Sequence, residues 1–289
     1  MDQEKIYLLR LKCKDQVGIV SKISTVLANI NCNNIESKQF TDQDTNSFFI
    51  RQSFQLPNEL NIKAINKEFE NLSKILNANY EIRHIHKTLK TLILVSKFDH
   101  CLIELINKTN NKNLNLSIEG VISNHNDLEN ISSLESLPFY YFPINNDKFN
   151  QEKRIIEFIH KKKIDIIILA RYMQILSRNF VNEFYGKIIN IHHSFLPSFK
   201  GAKPYHQAFE RGVKIIGATA HFVNQNLDEG PIIEQDVEKV DHELSPNDLV
   251  AIGKDIEARV LYKAIKNYSE GRVFLNGKKT IVFKGDKIL

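Results

Sequence analysis

Ile164-Asp165-Ile166-Ile167-Ile168-Leu169-Ala170 is the run that decides the fold. A short, continuous apolar run rich in β-branched residues reads as a strand buried on both faces, the kind found in parallel sheets. Two further runs agree with it: Thr91-Leu92-Ile93-Leu94-Val95-Ser96 upstream, and Lys187-Ile188-Ile189 downstream. Helical spacing at 100–109 and 150–162, and a short helix after Arg171-Tyr172-Met173-Gln174-Ile175-Leu176, separate these strands. Further strands are expected at 116–123, 139–143, 215–223 and 232–240. A weak polar helix is expected near 127–134, helices at 203–211 and 246–268, and a closing strand pair after them. Strands alternating with helices predict right-handed βαβ crossovers and a mostly parallel, Rossmann-like α/β sheet over residues 91–289. No strand leads into GxGxxG, so a dinucleotide is not implied.

The chain before this region has a different rhythm. Strand-like alternation at 6–13 is followed by Lys14-Asp15-Gln16-Val17-Gly18-Ile19-Val20, where Asp15 can cap a helix expected over 17–29. Strands at 33–41 and 47–56 flank a turn, and a helix at 62–76 precedes a strand at 79–85. The order β-α-β-β-α-β predicts a ferredoxin-like domain over 1–85, with two helices on one face of an antiparallel sheet. Residues 86–90 read as a linker.

Composition narrows the function classes. With 289 residues, 42% hydrophobic and 25% charged, the chain can build two cores. A net charge of +5 with interspersed signs does not imply nucleic acid and suits a small anionic substrate. Cys13, Cys32 and Cys101 are scattered, without zinc or disulfide spacing, as expected in a reducing cytosol. The start Met1-Asp2-Gln3-Glu4-Lys5 does not read as a signal peptide, and no apolar run approaches the ~20 residues of a membrane helix. A cytoplasmic protein is therefore expected, with no membrane partner.

The chemistry gathers after Ile189, in Asn190-Ile191-His192-His193-Ser194-Phe195-Leu196-Pro197-Ser198-Phe199-Lys200-Gly201-Ala202. An amide and an imidazole two positions apart on a strand end lie on the same side of the chain. Side chains delivered at the carboxyl end of a parallel strand are what an open α/β active site is built from. Asp228, in Asn224-Gln225-Asn226-Leu227-Asp228-Glu229-Gly230-Pro231, sits in a loop of the kind that carries working carboxylates, although Gly-Pro turn chemistry alone also explains an aspartate there.

Asn190-Ile191-His192 with Ser194-x-Leu196-Pro197, Gly201-Ala202, His221-Phe222-Val223 and Leu227-Asp228-Glu229-Gly230-Pro231 together resemble the folate-dependent formyltransferases, as does Leu169-Ala170-Arg171-Tyr172-Met173-Gln174-Ile175-Leu176. The likeness covers about the last two hundred residues in order. The first eighty, with Asp15-Gln16-Val17-Gly18-Ile19-Val20, resemble the ACT domain, a small regulatory module. That N-terminal module, His193 beside His192, Pro204-Tyr205-His206-Gln207-Ala208, and Val95-Ser96-Lys97-Phe98-Asp99-His100-Cys101-Leu102 point to the deformylating branch of the family. Its purine transformylases carry a glycine-rich phosphate loop after the first strand. Here that place holds Lys97-Phe98-Asp99-His100-Cys101, with no glycine and with an acid.

The resemblance implies hydrolysis of 10-formyltetrahydrofolate to formate and tetrahydrofolate, which supplies formate for purine synthesis and balances the one-carbon pool. The folate is a substrate, and neither a cofactor nor a metal is implied. It implies Asn190 and His192 as oxyanion donors and Asp228 as the group that holds His192 charged and takes the water's proton, directly or by relay. His193 either orients water or packs. Met173, Gln174, Leu176, Asn226 and Glu229 are implied for pterin binding, and Asn124 as a lining residue; without the resemblance Met173 and Ile175 read as core. In the ACT-like module, Asp15, Val17 and Gly18 are implied to bind a small amino acid, methionine or glycine, and a homo-oligomer is expected. Gly18 equally serves by easing the turn. Two other readings stay open. One is a transferase moving the formyl group to an amine such as a purine-pathway ribonucleotide, with a phosphate seat built from Lys200 and Lys203. The other is a non-catalytic amino-acid sensor.

Overall fold

The computed structural model describes residues 5–57, 61–144, 147–196 and 204–285. The motif residues Pro197, Gly201 and Ala202, with Lys200 and Lys203, lie outside the described residues. Contacts divide the chain into two compact units, Met1–Lys87 with Glu270–Asn276 and Ile281–Leu289, and Thr88–Ser269 with Gly277–Thr280.

In the first unit the order is β1 (Ile6–Lys14), α1 (Ile19–Asn29), β2 (Asn33–Asp42), β3 (Ser47–Gln55), α2 (Ile62–Leu76) and β4 (Asn79–His84). The sheet runs β2-β3-β1-β4 with antiparallel neighbours, the ferredoxin-like arrangement. One face packs Leu9, Leu11, Ile50 and Phe54 against Ile19, Ile23 and Leu27 of α1 and Ile65, Phe69 and Leu72 of α2. The helix start differs from expectation. Gly18, at φ 86, is the N-cap of α1 and no side chain caps it, so Asp15 does not serve; its amide instead donates to the Asn46 carbonyl at 2.9 Å.

The chain's tail belongs to this unit too, a placement that an unbroken 91–289 domain does not anticipate. Phe274 and Phe283 pack on Phe49, Lys12 donates to the Leu275 carbonyl at 2.8 Å, and Asn276 donates to the buried Asp42 at 2.5 Å. The reason lies in pairing across some 230 residues, which local pattern does not encode.

The second unit comprises β5 (Leu89–Val95), α3 (His100–Asn110), β6 (Leu116–Ser123), α4 (Glu129–Leu134), β7 (Phe139–Tyr141), α5 (Lys148–Lys162), β8 (Ile166–Leu169), α6 (Arg178–Glu183), β9 (Ile188–His192), α7 (Pro204–Glu210), β10 (Ile215–Phe222), β11 (Ile232–Lys239) and α8 (Pro246–Ser269); the hairpin β12 (Val273–Asn276) and β13 (Lys279–Val282) follows. The seven-stranded sheet runs β11-β10-β9-β8-β5-β6-β7. From β9 to β7 it is parallel, while β10 and β11 are antiparallel additions. The alternating residues of one strand explain the double burial. Leu92 and Leu94 join Ile155 of α5 and Phe180 of α6 in one core, whereas Ile93 and Val95 are as fully buried on the other side.

Candidate active site

Strand β9 does not stop at Ile189 but runs through Asn190 to His192, so both side chains ride on the sheet's last parallel strand. Antiparallel pairing with β10 then sets Asn190 opposite His221 and His192 opposite Thr219. In consequence the Asn190 amide nitrogen lies 3.3 Å from His221 Nε2. His221 Nδ1 donates to the Phe222 carbonyl at 2.8 Å, which leaves Nε2 to accept from Asn190. One amide hydrogen is so engaged and the other remains for a ligand.

The loop after β10 brings in the carboxylate. Asp228 sits at φ 56, in the left-handed region. Two residues on, Gly230 passes so close to the Phe222 carbonyl that a Cβ would stand 1.6 Å from that oxygen. Only glycine permits this approach, and it fixes where the loop turns. Asp228 Oδ2 lies 3.3 Å from His192 Nδ1, and Oδ1 lies 3.8 Å from His221 Nε2. Burial alone opposes ionisation, but hydrogen bonding to the facing His192 imidazole leads the effects that outweigh it and hold the Asp228 carboxyl well below the usual carboxylate range. With its Nδ1 facing Asp228, the buried His192 keeps Nε2 without a protein partner.

These groups open into a cavity of about 680 Å³. One wall is the turn Met173, Gln174, Ile175 and Leu176 with Val223 and the loop Asn224 to Leu227. Met173 is 54% and Ile175 61% exposed, so neither is a core residue. The turn is tied down from behind: Met173 N donates to Ser96 Oγ at 3.0 Å, Ser96 Oγ donates to Asn124 Oδ1 at 2.7 Å, and Lys148 Nζ donates to the Ile175 carbonyl.

Of the residues singled out in the sequence, Asn190, His192, His193, Asp228, Met173, Gln174, Leu176 and Asn226 line the cavity. Asn124 and Glu229 do not: among the described residues they stand one step behind the wall, Asn124 under Ser96 and Glu229 accepting from Asn226 Nδ2 at 3.2 Å. Asp15, Val17 and Gly18 belong to the other compact unit, where Val17 is almost wholly exposed and Gly18 has open space beside it. Sequence alone assigns His221 no role beyond its place in the His221-Phe222-Val223 motif. Its part depends on the β9–β10 register, which no local pattern reveals.

His193 packs its ring edge-on to His192, centroids 4.9 Å apart. Burial, then the charges of Arg171 and His192, push its pKa down to about 4. His193 is therefore neutral through the physiological range. In a His193→Gln variant the bends of the kcat/KM profile above pH 5 should keep their positions. Because the depressed folded value destabilises the protein as pH falls from the unfolded ~6.5 towards 4, the variant should also lose less stability over that interval. A moved bend would show that His193 titrates in the reaction.

The cavity is also lined by Phe98, His100, Arg171, Tyr205, Lys254 and Glu257. Glu257 is 1% exposed and accepts from Tyr205 Oη at 2.7 Å, while its other oxygen lies 2.8 Å from His100 Nε2 and 3.3 Å from Arg171 Nε. Gly253, one turn earlier on α8, leaves room for the Tyr205 ring, which a Cβ would meet at 2.1 Å. His100, Cys101 and Glu257 offer ligand atoms within 4.8 Å of one another. The Glu257 carboxylate is already shared by Arg171 and Tyr205, so a divalent cation would have to displace a fixed cation. No helix among the described residues is long and apolar enough to cross a membrane.

A doubly covered parallel sheet whose last strand presents an amide and an imidazole to a carboxylate-bearing loop defines an α/β enzyme of the open-sheet class. The family model described as formyl transferase matches residues 89–265. A formyltetrahydrofolate deformylase of Corynebacterium sp. (strain P-1) is 42% identical over 98% of this chain and 100% of its own length. The crystal structure of a formyltetrahydrofolate deformylase from Burkholderia mallei superposes with a TM-score of 0.94 at 42% identity, covering 97% of this chain and all of that one. Glycinamide ribonucleotide transformylase 1 of Symbiobacterium toebii fits less well, with a TM-score of 0.65 at 26% identity over 71% of this chain and 98% of its own. The chain belongs to the formyltetrahydrofolate deformylase family.

Proposed function

We propose that this chain hydrolyses 10-formyltetrahydrofolate to formate and tetrahydrofolate, with water as the formyl acceptor. The observation that carries the reading is the convergence of Asn190, His192 and Asp228 on one cavity in a chain so similar to deformylases. Water oxygen adds to the formyl carbon, and the carbonyl oxygen gains negative charge. The free hydrogen on the Asn190 amide and a proton on His192 Nε2 stabilise that oxyanion. A carboxylate held as low as Asp228 is a poor direct base. Its part is to orient His192 and to stabilise its charged form, the water's proton passing by relay. Collapse breaks the bond from carbon to N10, N10 takes the proton relayed from the attacking water, and the formic acid formed loses its remaining hydroxyl proton to solvent and leaves as formate.

Water serves as acceptor because the place of a phosphate loop is taken. The chain after β5 reaches α3 without a glycine, and Asp99 stands at its N-cap. An acid at a helix N-terminus claims the field that would hold a phosphate. With a ¹³C-labelled formyl group and glycinamide ribonucleotide both supplied, the label should appear in formate. Label in the ribonucleotide amide would return the chain to the transferases.

In the same reading the enzyme is a cytoplasmic hydrolase feeding formate to purine synthesis; residues 1–85 form an ACT-like module, and the catalytic unit is Thr88–Ser269 with Gly277–Thr280. Asp15, Val17 and Gly18 of the ACT-like module take a small amino-acid effector, methionine or glycine, in a homo-oligomer. The open backbone at Gly18 supports this.

A further inference from the structure

We propose that the part of the cavity walled by Arg171, Lys254, His100 and Tyr205 is a binding site for a small carboxylate, namely formate, the reaction's own product. The inference rests on the hydrolytic reading above, since formate is what that reaction releases beside His192.

Three observations carry it. First, Arg171 is only 9% exposed, yet it lines the cavity, and its Nε meets Glu257 at 3.3 Å as an ion pair without an aligned hydrogen bond. A buried guanidinium with an unsatisfied donor is costly unless something else meets it. Second, its backbone sits at φ 63, a strained conformation for a long side chain. Phe98 covers the guanidinium at 5.0 Å, so the group is held in one place and not left to sweep solvent. Third, Arg171 and Lys254 line the cavity beside Glu257, whose carboxylate is already engaged by Tyr205 and His100. His100 Nδ1 is a further buried polar atom without a partner.

The chemistry selects the ligand. A planar guanidinium fork matches a planar carboxylate. Glu257, fixed by Tyr205 and His100, repels a dianion more than a monoanion, which disfavours phosphate. The Arg171 charge also reaches the reacting groups, where it is one of the causes that depress His193. An anion created at His192 is thus drawn away from the folate amine that has just been freed, and the reverse reaction is discouraged. Because Glu257 partly neutralises Arg171, the affinity stays low enough for release, about millimolar at best for so few atoms.

The test is titration of the free full-length protein with ¹³C-formate, followed by NMR line broadening, with inorganic phosphate in a parallel arm. Wild type should bind formate in the millimolar range and more tightly than phosphate. Arg171→Gln should weaken formate binding about tenfold or more, and Glu257→Gln, which removes the competing anion, should strengthen it several-fold. Should either buried substitution unfold the protein, Lys254→Gln on the cavity rim should still weaken binding, about two- to threefold. Undetectable formate binding by wild type, preference for phosphate, or unchanged affinity in Arg171→Gln and Lys254→Gln would overturn the proposal. The titration contains no folate, so an absence of hydrolytic turnover would sink the proposed function without being confused with failure of the anion site.

Discussion

Asp228→Asn is expected to lower kcat by about 10²–10⁴, the range of a positioned acid–base group, with little change in KM for the folate. The carboxylate lies against His192 at 3.3 Å and His221 at 3.8 Å. An amide of the same shape removes the charge that favours a protonated His192, and it can turn a donor towards His192 Nδ1. Both changes strike the transition state and leave the cavity wall of Met173 to Leu176 untouched. Stability changes too, with a definite sign. The folded carboxyl is depressed, so its ionised form stabilises the protein above the unfolded pKa near 4, and this contribution is lost as pH falls through the lower folded value. The variant should therefore be less stable at neutral pH and less acid-sensitive than wild type. Steady-state kinetics with thermal unfolding across pH checks both. Activity within threefold of wild type would remove Asp228 from the mechanism.

His192→Gln and Asn190→Ala are the second pair. In the proposed reaction each removes one donor to the oxyanion and should lower kcat by about 10²–10³. The double variant should fall short of the product of the two, because groups that act on the same oxygen are not additive. Asn190→Ala has a further consequence peculiar to this site. It strips His221 Nε2 of its 3.3 Å partner, so His221 loses the contact that keeps it beside Asp228. Asn190→Asp keeps a side chain of the same size but cannot donate, and it should be no more active than the alanine variant. A KM effect with unchanged kcat in these variants would mean that both residues bind ground-state folate only.

Much of the fold was legible because its strands are self-declaring. The run ending in Leu169-Ala170 and its neighbours can only be doubly buried strands, and they pair in the parallel order observed. The split β-α-β-β-α-β unit was equally plain from period and turns. Asn190 and His192 were readable as a pair because two residues on a strand share a face. What stayed hidden lies in register and in backbone exceptions. His221 meets Asn190 only through antiparallel pairing across 31 residues. Arg171 and Asp228 both take positive φ, a conformation no residue pattern announces for either side chain. Met173 and Ile175 look like core by composition, yet they stand exposed because their turn is anchored from behind by Ser96 and Lys148. Gly18 begins α1 in place of the better-looking cap Asp15 since its left-handed backbone, not a side chain, turns the chain into the helix.

The most direct measurement is turnover of 10-formyltetrahydrofolate by the purified protein with no amine present, following formate and tetrahydrofolate together. Steady, multiple-turnover release of the two in equal amounts is expected, unchanged when an amine nucleotide is added. Silence until the amine is supplied, with formyl-amine as the product, would contradict the proposed hydrolysis.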